Sequence, residues 1–281
     1  MPISSRAFQL HPGIWSSYLA ELSPEEMVRA FADKGWNQLE LSSEHAKKLL
    51  ARGAPRAAGS AFGNYSREHG VVFPQGHLWL ECDIVDPDQP HTLDELRRWL
   101  DLFDAIGIRS AVLHPGGLAL QTRRVEAERI RGLNLCALGD LARHVESSSL
   151  LLCLENMRYF PANTVLSLAD AMQSPHVAIC LDTGHLNVRK EDPARFIRAA
   201  GARLKALHIA DNDGNSDQHL APYGAGTVPW DSVMRALNEC GYSGLFNLEV
   251  PGERRCPLDV RLMKLDYFKG VLAFMERLAH P

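Results

Sequence analysis

Residues 149–182 read S-L-L-L-C-L-E-N-M-R-Y-F-P-A-N-T-V-L-S-L-A-D-A-M-Q-S-P-H-V-A-I-C-L-D, two apolar runs separated by an amphipathic segment. Neither run alternates apolar with polar residues, so each reads as a strand buried on both faces, as in a parallel sheet. The segment between them starts a helix near Thr164. Strand, helix and strand make one βα step of a parallel sheet.

The same step repeats along the chain. Runs rich in Val, Ile and Leu recur about every 35 residues, each followed by a longer amphipathic stretch. They lie at 7–11, 37–42, 70–77, 109–114, 149–156, 177–182, 204–211 and 245–250. Eight such units predict an α/β fold, a (β/α)8 TIM barrel, with residues 1–281 as a single domain. A doubly wound sheet would announce its ligand site with a glycine-rich first turn, and His11-Pro12-Gly13 is no such turn. Helix starts are marked at Ser23-Pro24-Glu25-Glu26, with Ser as cap and Pro in the first turn, and again at Thr92 and Thr164. Across 122–146, Val125, Ile130, Leu133, Leu138 and Leu141 fall near one stripe, as on an outer-ring helix. The most polar loop, residues 211–217, follows the seventh strand on the catalytic side.

Composition narrows the function classes. With 46% hydrophobic and 23% charged residues the chain is globular, and a formal charge of −4 offers no footprint for nucleic acid. The six cysteines form no C-x-x-C pair and several sit in apolar runs, so they read as reduced core thiols. The first residues lack the pattern of a secretory signal, and no apolar run approaches a membrane span. A cytoplasmic protein is therefore expected, with no membrane partner and with a homo-oligomer left open.

The chemistry is read from position. His77, His114, Glu155, Asp182, His208 and Glu249 all lie at the ends of apolar runs, where the C-terminal face of a barrel gathers side chains. Buried carboxylates without partners are costly, so converging acids and imidazoles call for a cation or a dense hydrogen-bond network. Imidazole and carboxylate donors without thiolate suit Mn²⁺, Zn²⁺, Co²⁺, Fe²⁺ or Mg²⁺. Asn156, Thr183, His185 and Asn247 are placed to orient ligands or bind hydroxyls. Asp217 and His219, in the polar loop, read equally as second-metal ligands or as solvated loop residues. Trp15, Trp79 and Tyr223 are candidates to stack on a substrate ring from the loops, whereas Trp36 and Trp99 read as packing residues. His11, His45, His69, His91, His144, His176 and His280 read as surface residues, only His11 lying at a run end.

These residues together resemble the superfamily that joins metal-dependent sugar isomerases and epimerases, the xylose isomerase-like TIM barrels, with endonuclease IV. The carriers, across roughly 70 to 250, are L-E-N at Glu155, C-L-D-T-G-H across Asp182 and His185, L-K-A-L-H-I-A-D-N-D-G at His208 and L-E-V at Glu249. The resemblance implies that Glu155, Asp182, His208 and Glu249 bind one divalent metal and that Glu155 and Glu249 are paired catalytic carboxylates. They would move a proton next to a carbonyl through an enediolate of a sugar or sugar phosphate, a chemistry a dehydratase or lyase would reuse. His77, His114, His185, Asp217 and His219 also resemble the wider set that endonuclease IV uses for three zincs, which makes a phosphodiesterase on abasic DNA the rival. His219-Leu-Ala-Pro-Tyr-Gly-Ala-Gly departs from the nuclease spacing by one residue, and no Arg/Lys cluster marks a phosphate track. A small sugar-like substrate is the expected partner, and nucleic acid is not.

Overall fold

The computed structural model describes residues 9–253 and 255–279. Eight strands form one parallel sheet: β1 (His11–Trp15), β2 (Gln38–Leu41), β3 (Val72–His77), β4 (Ser110–Leu113), β5 (Leu151–Glu155), β6 (Val177–Asp182), β7 (Leu204–His208) and β8 (Leu245–Leu248). Each strand pairs with its sequence neighbour, β1 also pairs with β8, and a bridge between Ile209 and Leu248 joins the last two. The sheet therefore closes into the expected barrel. The outer ring comprises α1 (Pro24–Asp33), α2 (Ser43–Leu50), α3 (Pro55–Glu68), α4 (Thr92–Ile106), α5 (Leu118–Thr122), α6 (Ala127–His144), α7 (Asn163–Met172), α8 (Thr183–Arg189), α9 (Pro193–Ala200), α10 (Trp230–Glu239) and α11 (Leu258–Leu278). No helix among the described residues is long and apolar enough to cross a membrane.

The period of two along each strand sorts side chains between two cores. Leu39, Leu41, Leu152, Leu154, Ile179, Leu181, Leu207, Phe246 and Leu248 face the helices and join the large outer core. The opposite parity faces the axis, where Val112, Cys153, Ala178, Cys180 and Ala206 form a separate small cluster. The next inward residue along β5, β6 and β7 is Glu155, Asp182 and His208, so the packed plug of small side chains is the floor beneath the polar mouth. All six cysteines are free. Burial pushes the Cys153 thiol up to about 12, which keeps it neutral.

Several local expectations shift. The first strand, expected at 7–11, is His11–Trp15, and residues 7 and 8 lie outside the described residues. His11 thus opens β1 at the barrel's opposite end, not at the mouth. Ser23 caps α1 as expected, and Glu26 completes a reciprocal box by accepting from the Ser23 N–H at 2.9 Å. Thr92 and Thr164 do not cap: Thr92 Oγ1 donates to Gln89 O at 2.9 Å, and α7 already starts at Asn163. The long helix expected across 122–146 is broken near Arg124, whose φ is +59°, and Leu133 points outward. His45 is fully buried, its Nδ1 3.0 Å from Ser16 Oγ and 3.1 Å from Ser42 Oγ, and burial holds its pKa down at about 4. Of the other histidines, His69 and His91 are exposed, His11, His144 and His176 are half-buried, and His280 lies outside the described residues.

The loop from β7 to α10 is anchored by Asp211, which is buried. Its main chain exchanges two hydrogen bonds of 2.8 Å with Leu220, and its carboxylate accepts from Val228 N at 3.0 Å and Trp230 Nε1 at 2.9 Å. Gly226 must be glycine, since a Cβ there would lie 2.0 Å from that carboxylate. Asp211→Ala strands three buried donors, since Asn212 N also donates to this carboxylate at 2.8 Å. It should cost about 3 kcal/mol in urea unfolding; an unchanged midpoint would refute the anchoring role.

Candidate metal centre

The mouth is built by the inward residues of neighbouring strands. Asp182 pairs in register with His208, and Glu155 with Cys180. Donor atoms of Glu155, Asp182, His208 and Glu249 all lie within 4.8 Å of one another, and all four residues are buried. With metal–ligand bonds of about 2.0–2.2 Å, donors across one cation stand on the order of 4 Å apart. The spacing fits a single ion.

Several of the donor atoms gathered here make no hydrogen bond. Among the described residues, Glu155 Oε2, Asp182 Oδ2, Glu249 Oε2, His208 Nδ1 and His77 Nε2 are buried and make no hydrogen bond. Their opposite sides are engaged. Asp182 ends β6 and caps α8, its Oδ1 accepting from His185 N at 2.6 Å. Asn156 clasps the same residue through its main chain, donating to Asp182 O and accepting from Asp182 N, both at 2.9 Å. His208 Nε2 lies 3.0 Å from Glu40 Oε1, so in the neutral ring this nitrogen is the donor and Nδ1, 3.2 Å from Glu155, is the atom free to bind a metal. Asn247 Nδ2 donates to the other oxygen of Glu40.

The electrostatics are unbalanced in a way a cation relieves. Burial works against the charged form of Glu155, yet His208, His114 and His185 outweigh it and hold its carboxyl well below the usual range. Glu249 goes the opposite way: burial pushes it well above the usual range, and the charges of Glu155 and Asp182 add to the shift beyond what His208 and His219 offset. The rise at Glu249 expresses uncompensated negative charge, which a cation at the shared point would relieve.

Two histidine clusters flank the four donors. On one side His77 Nε2 and His114 Nε2 each lie 3.3 Å from Glu155 Oε2, with the two rings edge to face. On the other, His185 Nδ1 is 3.2 Å from Glu155 Oε1 and its Nε2 is 3.2 Å from Asp217 Oδ2. His219 bridges Asp217 at 3.4 Å and Glu249 at 3.4 Å. The structure therefore brings all nine singled-out residues to one mouth. Burial opposes the His219 cation, but Glu249 and Asp217 raise its pKa to about 10.

Sequence reading passed over Glu40 and Arg158. Glu40 obeys the same rule of an acid in an apolar run, but lies one residue short of the end of β2. Arg158 is ion-paired with Asp217 and lies over the Tyr159 ring at 4.5 Å. Among the aromatic candidates, Trp15 ends β1 beside Glu40 with its indole N–H buried and unpartnered. Trp79 instead lines a groove with Leu50 and Trp99, and exposed Tyr223 packs on Phe274, so neither is placed to stack at the mouth.

The family of xylose isomerase-like TIM barrels matches residues 25–277. The uncharacterised protein y4fM of Sinorhizobium fredii is 29% identical over 256 residues, covering 87% of this chain and 76% of that protein. D-psicose 3-epimerase of Enterocloster bolteae is 25% identical over 197 residues, 66% of this chain and 64% of the enzyme. Fructoselysine 3-epimerase of Escherichia coli is 29% identical over 40% of this chain and 43% of its own. Among solved structures, a D-psicose 3-epimerase crystallised in the presence of D-fructose superposes with a TM-score of 0.79 at 16% identity, covering 97% of this chain and all of that one.

Glu40 touches no donor point itself, so its effect runs through His208. Glu40→Gln should weaken Mn²⁺ or Zn²⁺ binding about 10-fold in competition with a chromogenic chelator. Equal affinity would show that Glu40 does not tune the imidazole.

Proposed function

Because the chain belongs to the xylose isomerase-like TIM barrel family, we propose that it is a divalent-metal-dependent isomerase or epimerase of a ketose, with Glu155 and Glu249 as its proton-transfer pair. The observation that carries this reading is the convergence of four buried donors, three of them carboxylates, whose free atoms share one point. Glu155, Asp182, His208 and Glu249 would hold Mn²⁺, Zn²⁺, Co²⁺ or Mg²⁺. The bound ion would supply stabilisation of the negative charge that develops on oxygen when a proton leaves the neighbouring carbon.

The protein's own groups account for the rest. One carboxylate removes the proton on carbon next to the carbonyl and the other returns one, so a pair on opposite sides of the substrate inverts the stereocentre. Return to the adjacent carbon would isomerise instead. Several relatives are named as 3-epimerases, of psicose, ribulose and fructoselysine, which supports the epimerase form. His185, held between Glu155 and Asp217, is placed to bind a substrate hydroxyl. Trp15 offers a ring face and an unpaired N–H at the same mouth. The six free cysteines support a reducing, cytoplasmic setting.

A second reading rests on the flanking clusters. His77 and His114 with Glu155, and His185 with Asp217 and His219, could each hold a further ion, as a multi-zinc phosphodiesterase on abasic DNA would require. Elemental analysis separates the two: one metal per chain supports the epimerase, and two or three support the hydrolase.

Glu155→Gln and Glu249→Gln should each lower turnover by about 10²–10⁴-fold, read as exchange of the substrate proton with deuterated solvent over a panel of free and phosphorylated ketoses. Near wild-type exchange in either variant removes the paired-carboxylate mechanism. Chelation should abolish exchange and lower the melting temperature, both restored by added Mn²⁺ or Zn²⁺; an unchanged melt after verified metal loss would sink the metal assignment. Incision of abasic duplex with no exchange on any ketose would favour the hydrolase.

A further inference from the structure

Away from the mouth, exposed apolar side chains concentrate on one helix. Of the nine large hydrophobic residues exposed among the described residues, Val260, Met263, Tyr267 and Phe274 belong to α11, and a fifth, Tyr223, has its ring 5.2 Å from that of Phe274. Met263 and Tyr267 are 64% and 56% exposed. α11 already satisfies the barrel with another face, burying Arg261, Leu265, Phe268, Leu272 and Met275. Val260, Met263, Tyr267, Gly270, Phe274 and Arg277 make a second row, displaced by one to two residues and about 150° around the helix from the buried one. Its steps of three and four are the spacing of a coiled-coil seam.

Gly270 is the telling member. Glycine inside a helix costs about 1 kcal/mol relative to alanine, and here a Cβ would meet nothing within 4 Å. The chain's own packing does not require the gap. A hole in an exposed apolar row serves a partner that comes close.

We propose that this row docks a second copy of the chain, α11 against α11, antiparallel across a two-fold axis. In an antiparallel seam the two alternating positions of one helix face each other's counterparts. Tyr267 then lies over Gly270 of the second copy, Met263 meets Phe274, and Val260 reaches the level of Arg277. Each contact occurs twice. The pairing is self-complementary: a ring enters the hole, and a thioether meets an aromatic edge. It is also complementary in charge, since Asp259 comes beside Arg277 of the second copy. Neither residue has an ion-pair partner among the described residues; Arg277 only donates to Ala273 O and lies over its own Phe274.

The test is sedimentation of the full chain at micromolar concentration, with circular dichroism as the check on folding. Wild type should sediment at twice the mass of one chain, and Met263→Glu and Tyr267→Glu should each sediment as monomers with unchanged helix content. Asp259→Arg should weaken the dimer about 10-fold, and Asp259→Arg combined with Arg277→Asp should restore most of it. A monomeric wild type, whether another protein or residues 1–8 cover the row, overturns the proposal. So does a dimer that survives both glutamate variants, and so does a double charge variant no better than the single one.

Discussion

Three carboxylates, Glu155, Asp182 and Glu249, are buried at one point of the barrel mouth, and the surrounding structure is organised by that conflict. Removing a carboxylate from water costs several kcal/mol even after the protein relaxes. The fold answers for each oxygen separately. Asp182 places one oxygen on the first turn of α8, where the helix end favours negative charge. Glu155 faces four imidazoles, those of His77, His114, His185 and His208. Glu249 has the weakest support, a His208 contact of 3.5 Å and a His219 contact of 3.4 Å, and its proton affinity is the one that rises. One oxygen of each acid, Glu155 Oε2, Asp182 Oδ2 and Glu249 Oε2, is buried and makes no hydrogen bond, although imidazole nitrogens stand 3.2 Å from Glu155 Oε2 and 3.4 Å from Glu249 Oε2.

Such an arrangement needs a rigid frame, because donors displaced by an ångström would no longer share a point. The frame is the register of the barrel. Small side chains, Val112, Cys153, Ala178, Cys180 and Ala206, fill the axis tightly enough that the next inward layer must sit above them. Glu40 sets the tautomer of His208 from across the barrel, and Asn247 fixes Glu40 in turn, so β2 and β8 jointly orient a residue on β7. The 211–229 segment is tied at its base by Asp211 and Leu220, which holds Asp217 and His219 over the mouth.

Much of this was legible in the sequence because it depends on two local periodicities. Acids at the ends of apolar runs are expensive anomalies, and the barrel topology converts a list of run ends into a cluster. The failures have equally local causes. His11-Pro12-Gly13-Ile14-Trp15 carries a proline and a glycine, so β1 scores poorly as a strand, although its position beside β8 makes it one. His45 sits among polar residues in sequence, yet the closing of α2 over the β1 loop buries it against Ser16 and Ser42. Glu40 was hidden because a charge inside a run reads as outward-facing until the parity of the strand in the closed sheet is known. Tertiary contacts decide Thr92 as well: its hydroxyl turns back to the preceding loop, a choice no cap signal records.

The charge balance of the mouth bears on which substrate the site favours. Glu40, Glu155, Asp182, Asp217 and Glu249 bring five carboxylates to this region, and Arg158, the guanidinium among them, is already paired with Asp217. One divalent ion offsets two of these charges, and His185 and His219 help to balance Asp217 and Glu249. The remaining field is neutral to negative, and low-dielectric walls strengthen it. A phosphate brought to this rim would need its own cations, either from further bound metals at the flanking histidines or from a displaced Arg158. An uncharged polyol needs neither: its hydroxyls can donate to the carboxylates and accept from the imidazoles and the Trp15 indole. Within the function proposed for this chain, that balance supports an uncharged ketose over a sugar phosphate or DNA.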